Sequence, residues 1–221
     1  MRANLTTRLA KLLLGLYLYG WGIALMVHAK IGIPPWDVLA QGISLQLKIS
    51  YGVASIIVSA LVLLLWIPLK QKPGIGTVLN AILIGLFADT VFPILPSMDA
   101  YWQQLAMFIL GMLVLSTATG LYISSNLGSG PRDGFIVASQ RLLKRPLWQV
   151  RTAIEATVLV IGWVLGGQVR EGTLIFAIGI GYLMQLSFRV FGIATAKKPG
   201  AAAAGTGKPS DSGKSDDWQA E

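Results

Sequence analysis

Residues 11–93 of this chain pair with residues 107–189 at a constant offset of 96, without a gap, giving 19 identities in 83 positions. Ile31-Gly32-Ile33-Pro34-Pro35-Trp36-Asp37 answers to Leu127-Gly128-Ser129-Gly130-Pro131-Arg132-Asp133, and Gly76-Thr77 answers to Gly172-Thr173. The shared residues include Gly, Pro, Asp and Thr, types chosen for backbone geometry or polarity rather than apolar filler. A unit this long, duplicated inside hydrophobic sequence, restricts the fold to two copies of one membrane-embedded design, a common way to build a transporter.

Composition decides the solvent. The chain is 54% hydrophobic and 13% charged, about half the charge of an average soluble domain. Six apolar runs, at about 11–29, 51–69, 76–95, 102–124, 147–167 and 172–193, approach or reach the ~20 residues that cross a hydrocarbon core. The first run follows Arg2, Arg8 and Lys11 as in a signal peptide. It continues through Tyr17, Tyr19 and Trp21 with no small-residue cleavage site, so it is expected to stay as a spanning helix. Between spans, residues 36–48 and 132–145 form two short helices, each opened by a Gly/Pro turn; at ~1.5 Å per residue they are too short for an ordinary crossing, so they are either interfacial or re-entrant.

Three crossings per half is an odd number, which turns the second half upside down relative to the first. With the amino terminus inside, twelve Lys and Arg fall on the inner side and three (Lys30, Lys48, Arg170) on the outer. If the short helices crossed fully, the repeat would be parallel and the cluster Arg141, Lys144, Arg145, Arg151 would divide between the two sides. The charge count therefore favours the inverted arrangement. The net charge of +8 is a topology signal and requires no nucleic acid. The expected fold is an all-α membrane protein of six transmembrane helices in two inverted-topology repeats, 1–96 and 97–196. A disordered cytoplasmic tail follows at 197–221. Both termini are expected on the cytoplasmic side of a bacterial inner membrane.

Candidate chemistry concentrates in the paired turns. Pro35 and Pro131 suit a first helical position, and Asp37 and Asp133 fall in the first turn, where a carboxylate favours the positive helix end. This is ordinary helix-start chemistry. It is also what two half-helix ends meeting at a shared cavity need in order to hold a polar group, a proton or a cation. Gly32, Pro35, Asp37, Thr77, Asn80, Gly128, Pro131, Arg132, Asp133 and Thr173 are accordingly the expected substrate or ion path, although Gly76-Thr77 and Gly172-Thr173 equally fit capping and close packing. Arg151 and Glu155 stand four apart on one helix face and form an expected ion pair. Asp89 and His28 are expected in headgroup water. Trp21, Trp36, Trp66, Trp102, Trp148 and Trp163 fit an aromatic belt. Cysteine is absent and there is one histidine, which excludes thiolate and His-rich metal sites. No phosphate loop or nucleophile elbow is present, so neither an enzyme nor a cofactor is expected.

The combination Gly32-x-x-Pro35-x-Asp37, Gly76-Thr77-x-x-Asn80, Gly128-x-Gly130-Pro131-Arg132-Asp133, Arg151-x-x-x-Glu155 and Gly172-Thr173 resembles the YczE/YyaS/YitT-type bacterial integral membrane proteins over residues 8–193. The resemblance implies a multi-span inner-membrane protein and names no activity. One departure is that the first turn has Trp36 where the second has Arg132, so an Arg–Asp pair within one turn is available to the second half alone. The expected function is a small secondary transporter or exporter of a small molecule or ion. The alternative is a non-transporting accessory or regulatory protein acting through helix–helix contacts. Expected partners are the lipid bilayer, the transported species and, as an option, a second copy of the chain.

Overall fold

The computed structural model describes residues 4–193; the tail expected at 197–221 lies outside the described residues. Within them the chain is all-helical: α1 (Leu5–His28), α2 (Pro35–Leu47), α3 (Tyr51–Trp66), α4 (Ile75–Val91), α5 (Tyr101–Ser124), α6 (Pro131–Leu143), α7 (Leu147–Val164) and α8 (Glu171–Val190), with a short 3₁₀ turn at Phe92–Ile94. Each expected span and each short helix falls on one of these. Five helices are long and apolar enough to cross a membrane, six if α2 and α3, bent by 117°, count as one crossing. Helix α3 stops at Trp66 rather than at 69: Pro68 follows, and Lys70 turns to φ 52°.

The duplication extends to conformation. Of nine positive-φ residues among those described, eight form four pairs 96 apart: Lys30/Asn126, Gly32/Gly128, Lys48/Lys144 and Lys70/Gly166. Both short helices have 13 residues, start with Pro at the first position and end on a lysine in the left-handed region.

Small residues let the helices approach closely, as expected where lipid rather than water surrounds them. A Cβ on Gly15 would lie 2.8 Å from Tyr122, one on Gly22 2.8 Å from Leu115, and one on Gly111 2.7 Å from Met26. Contacts that fall in α5 as they rise in α1 make the two helices antiparallel. Arg8, at the start of α1, accordingly reaches the end of α5, donating to the Ser125 carbonyl at 2.7 Å and the Asn126 carbonyl at 2.6 Å. The halves interleave: α2 packs on α7, and α6 packs on α3. They are strapped reciprocally, since Gly76 N–H donates to the Ile31-equivalent carbonyl of Leu127 (2.9 Å) and Gly172 N–H donates to Ile31 itself (2.7 Å). Outside, the surface is apolar, with Ile67, Val164, Ile178 and Tyr182 all more than two-thirds exposed. A soluble monomer does not present so continuous an apolar surface.

The two halves differ at the seam between their last two helices. Helix α3 lies along α4, with Gly85 against the Gly52 carbonyl, whereas their counterparts α7 and α8 barely touch, and a Cβ on Gly181 would meet nothing within 4 Å. Gly85→Ala is therefore expected to cost about 1–3 kcal/mol by overpacking. Gly181→Ala, its repeat mate, is expected to be neutral or to gain up to about 1 kcal/mol from helix propensity. Thermal unfolding in detergent compares the two.

Candidate functional site

The first turns of α2 and α6 meet in the interior. Asp37, 1% exposed, accepts from the Tyr51 hydroxyl at 2.8 Å and from Arg132 Nη1 at 2.9 Å. The ion pair crosses from one half to the other. The Arg132 guanidinium also lies 5.8 Å above the Trp36 ring, a cation–π distance. Among the described residues the neighbouring Asp133 has no salt bridge; its partner is the Tyr122 hydroxyl at 3.3 Å. Trp66 fixes the second turn by donating from Nε1 to the Pro131 carbonyl at 3.1 Å. Each aspartate is near a helix amino end, where the exposed N–H groups stabilise its charge.

Two polar chambers flank Arg132. The smaller has about 20 Å³ of free space, lined by Tyr19, Ser55, Ser59, Asn80, Tyr122, Arg132 and Asp133. The larger has about 70 Å³, lies between the separated α7 and α8, and is bordered by Asp37, Arg132, Asp133, Arg151 and Glu155 with Phe176, Ile180 and Met184 opposite. These chambers are repeat mates. Ser55 and Ser59 in one occupy the positions of Arg151 and Glu155 in the other, and Ile84 corresponds to Ile180. One water needs about 10–15 Å³ on this scale, so the first chamber takes one water-sized particle and the second a small cluster of heavy atoms.

A vestibule leads to Asp133 from the face bearing Lys72 and Arg141, passing Trp66, Gly74, Thr77, Gly128 and Ser129. On the opposite face the equivalent positions are closed. Gly162 and Gly167 sit against the Val38–Leu39 backbone, and Gln168 N–H donates to Gln41 Oε1 at 2.6 Å. An apolar groove of about 510 Å³ between α2, α3 and α7 is walled by Leu39, Leu61, Leu65 and Ile161, a surface suited to acyl chains and not to polar chemistry.

The expected path residues divide into two sets. Asp37, Asn80, Arg132 and Asp133 line the chambers, and Pro35 borders the larger one. Gly32, Pro131 and Thr173 build the turns instead, and Gly128 and Thr77 both build a turn and line the vestibule. Thr173 Oγ1 donates to the Ile33 carbonyl at 3.0 Å, and Thr77 Oγ1 accepts from Gly74 N–H at 3.2 Å. The Arg151–Glu155 pair forms at 2.8 Å and borders the larger chamber. Sequence reasoning missed Tyr51, Tyr122, Ser55 and Ser59, polar residues inside apolar spans whose depth was the available signal. Asp89, half-buried near the end of α4, caps α3, accepting from Ser50 Oγ and from Gly52 N–H at 2.8 Å. One expectation is corrected. Trp36 and Trp66 are buried beside the site, not placed in an aromatic belt, because Trp36 stacks under Arg132 and Trp66 packs on Gly134.

An apolar exterior around a buried charged centre, carried on helices of membrane-spanning length, defines a multi-span α-helical membrane protein. Residues 6–189 match the model of a family of unknown function, DUF6198, and the chain belongs to that family. It is similar to an uncharacterized protein of Haemophilus influenzae, 37% identical over 179 residues (81% of this chain, 82% of the relative). It is also similar to the uncharacterized membrane protein YczE of Bacillus subtilis, 31% identical over 189 residues (85% and 88%). A third relative is the uncharacterized protein YyaS of the same organism, 24% identical over 166 residues (73% and 83%). The YczE and YyaS part of the resemblance drawn from the motifs is thus shown. No solved structure matches.

Proposed function

We propose that the protein is a small secondary transporter of a bacterial inner membrane, built from two inverted repeats of three spans with both termini cytoplasmic, and not an enzyme. The observation that carries this reading is the Asp37–Arg132 pair, which joins the first turns of the two short helices at a chamber bordered by both aspartates. Broken or short helices whose amino ends converge at a repeat interface are the usual substrate site of inverted-repeat transporters. The antiparallel packing of α1 on α5, which are repeat mates, supports the inversion. The open vestibule on one face and the packed mate on the other support an access state open to the basic, cytoplasmic side. The larger chamber, with two guanidinium and three carboxylate groups at its border, suits a small polar or zwitterionic substrate. A buried charged pair is expensive inside a membrane, and ionisable residues kept there characteristically mark substrate or ion paths, which favours transport over a non-transporting accessory role.

The cysteine-free background allows the test. Single variants Ser129→Cys and Ile33→Cys, which are repeat mates, are probed with an impermeant maleimide in vesicles of both orientations. Ser129→Cys is expected to react from the cytoplasmic face and Ile33→Cys to be protected. An imposed ion gradient is expected to expose Ile33→Cys to the outer face. Persistent protection of Ile33→Cys under sodium, proton and potassium gradients would remove the transport reading. Lys48→Cys and Lys144→Cys, at the ends of the two short helices, are expected to label from opposite sides. Labelling from one side would sink the inversion.

A further inference from the structure

We infer that the smaller chamber is a binding site for one small monovalent cation of sodium size, held by the oxygens of Asp133, Tyr122, Ser55, Ser59 and Asn80. The inference rests on the transporter reading for its role as a coupling ion but not for its chemistry.

Charge is the first argument. Arg132 is neutralised by Asp37 and Arg151 by Glu155, each within 2.9 Å. Asp133 is left with a hydroxyl at 3.3 Å. The amino end of α6 offsets roughly half of one charge, so a residual negative potential stays at the chamber wall. An anion is disfavoured there, and a divalent cation would leave excess positive charge beside Arg132.

The second argument is independent of charge. Ser55, Ser59 and Asn80 are 3%, 6% and 9% exposed, line the chamber, and have no side-chain hydrogen bond among the described residues. Serines and threonines in membrane helices ordinarily bond back to the preceding turn, as Ser116 and Thr119 do in α5. The polar ends of Ser55, Ser59 and Asn80 are not enclosed by protein and face the free space of the chamber, which is costly inside a membrane unless a ligand in that space bonds them. A proton on Asp133 would answer the charge and leave those three groups unpaired. A desolvated cation answers both, because hard cations take several oxygen ligands at once.

Size is the third. About 20 Å³ takes one particle of water size, which excludes an organic cation. A carboxylate among few oxygen ligands makes a high-field site, and field strength favours sodium over potassium. The repeat mate of this chamber replaces both serines with Arg151 and Glu155, so the site belongs to the first half alone. The cytoplasmic vestibule reaches Asp133, giving the ion an entry.

The test uses the full-length protein in detergent, unfolded thermally in sodium, lithium, potassium or choline chloride at equal ionic strength, with equilibrium binding of radioactive sodium alongside. Sodium is expected to raise the melting temperature over choline in a saturable way, and potassium is not. Asp133→Asn is expected to lose the shift, and Asp99→Asn, in the loop before α5, to keep it. Should Asp133→Asn fail to fold, Ser59→Ala supplies the same information, with sodium affinity weakened at least about tenfold by the loss of one charged-group contact. A shift retained in both variants, or stabilisation that follows pH and ignores sodium, overturns the site. Sodium binding without exposure of Ile33→Cys would retain the site and remove the transporter; exposure without sodium binding would do the reverse.

Discussion

Replacing Arg132 by Met is expected to cost the folded protein about 3–5 kcal/mol, the usual penalty for removing one partner of a buried ion pair. Asp37 is then left 1% exposed with the Tyr51 hydroxyl alone. Asp37→Leu is expected to cost less, because the guanidinium it strands is 18% exposed and shares its cavity with Asp133, which can take over. The double variant Asp37→Leu/Arg132→Met is expected to recover most of the loss, since apolar replacements of similar volume are often neutral or better. Unfolding of all three in detergent gives the coupling energy. Equal losses from the two single variants, with no recovery in the double, would mean that the pair does not act as a unit. Any transport activity is expected to be absent from the double variant despite its recovered fold, which separates the role of the pair in function from its role in stability.

A second large effect is expected at the turns. Gly32 has φ 119° and Gly128 φ 133°, values that residues with a Cβ rarely adopt. The backbone cost alone is about 1–3 kcal/mol. Space adds to it unequally. A Cβ on Gly32 would lie 2.7 Å from the Thr173 backbone nitrogen, an atom fixed in the first turn of α8. On Gly128 the nearest atom, also at 2.7 Å, is the Thr77 hydroxyl oxygen, which can rotate away. Gly166, at φ 97°, has nothing nearer than Leu45 Cδ1 at 3.7 Å. Alanine is therefore expected to be most damaging at 32, next at 128 and least at 166, with the first approaching a complete loss of folded protein. Net stabilities of only about 5–15 kcal/mol leave little margin for such a loss. Yield after size-exclusion chromatography and melting temperature test the order. A Gly32→Ala variant as stable as the Gly166→Ala variant would contradict the reciprocal strapping of the two halves.

Most of the helical layout is legible in the sequence. Spans and short helices show themselves through length and hydropathy, because a bilayer enforces about twenty apolar residues per crossing and forbids unpaired backbone. Pro35 and Pro131 marked the starts of α2 and α6, because proline loses nothing at a first helical position. The site was legible only in part. Asp37 and Asp133 stood out as carboxylates in matching turns, but the sequence suggested an Arg–Asp pair within the second turn. The guanidinium of Arg132 instead crosses 95 positions to Asp37. Adjacent side chains on a helix leave it in different directions, so Arg132 and Asp133 border the same chambers without pairing with each other. The partner of Arg132 is decided by which helix end is brought opposite.

By itself, the sequence determined that this chain is a membrane protein made of one unit used twice, with turns whose glycines and prolines permit little else. Those properties follow from local chemistry, from hydropathy, backbone freedom and the counting of charges. The tertiary structure alone decided that the two turns meet, that Asp37 and not Asp133 is neutralised, and that α3 closes on α4 while α7 stands away from α8. Each of these depends on the interleaving of the halves, and distances between residues about a hundred positions apart are fixed by packing that no local pattern encodes.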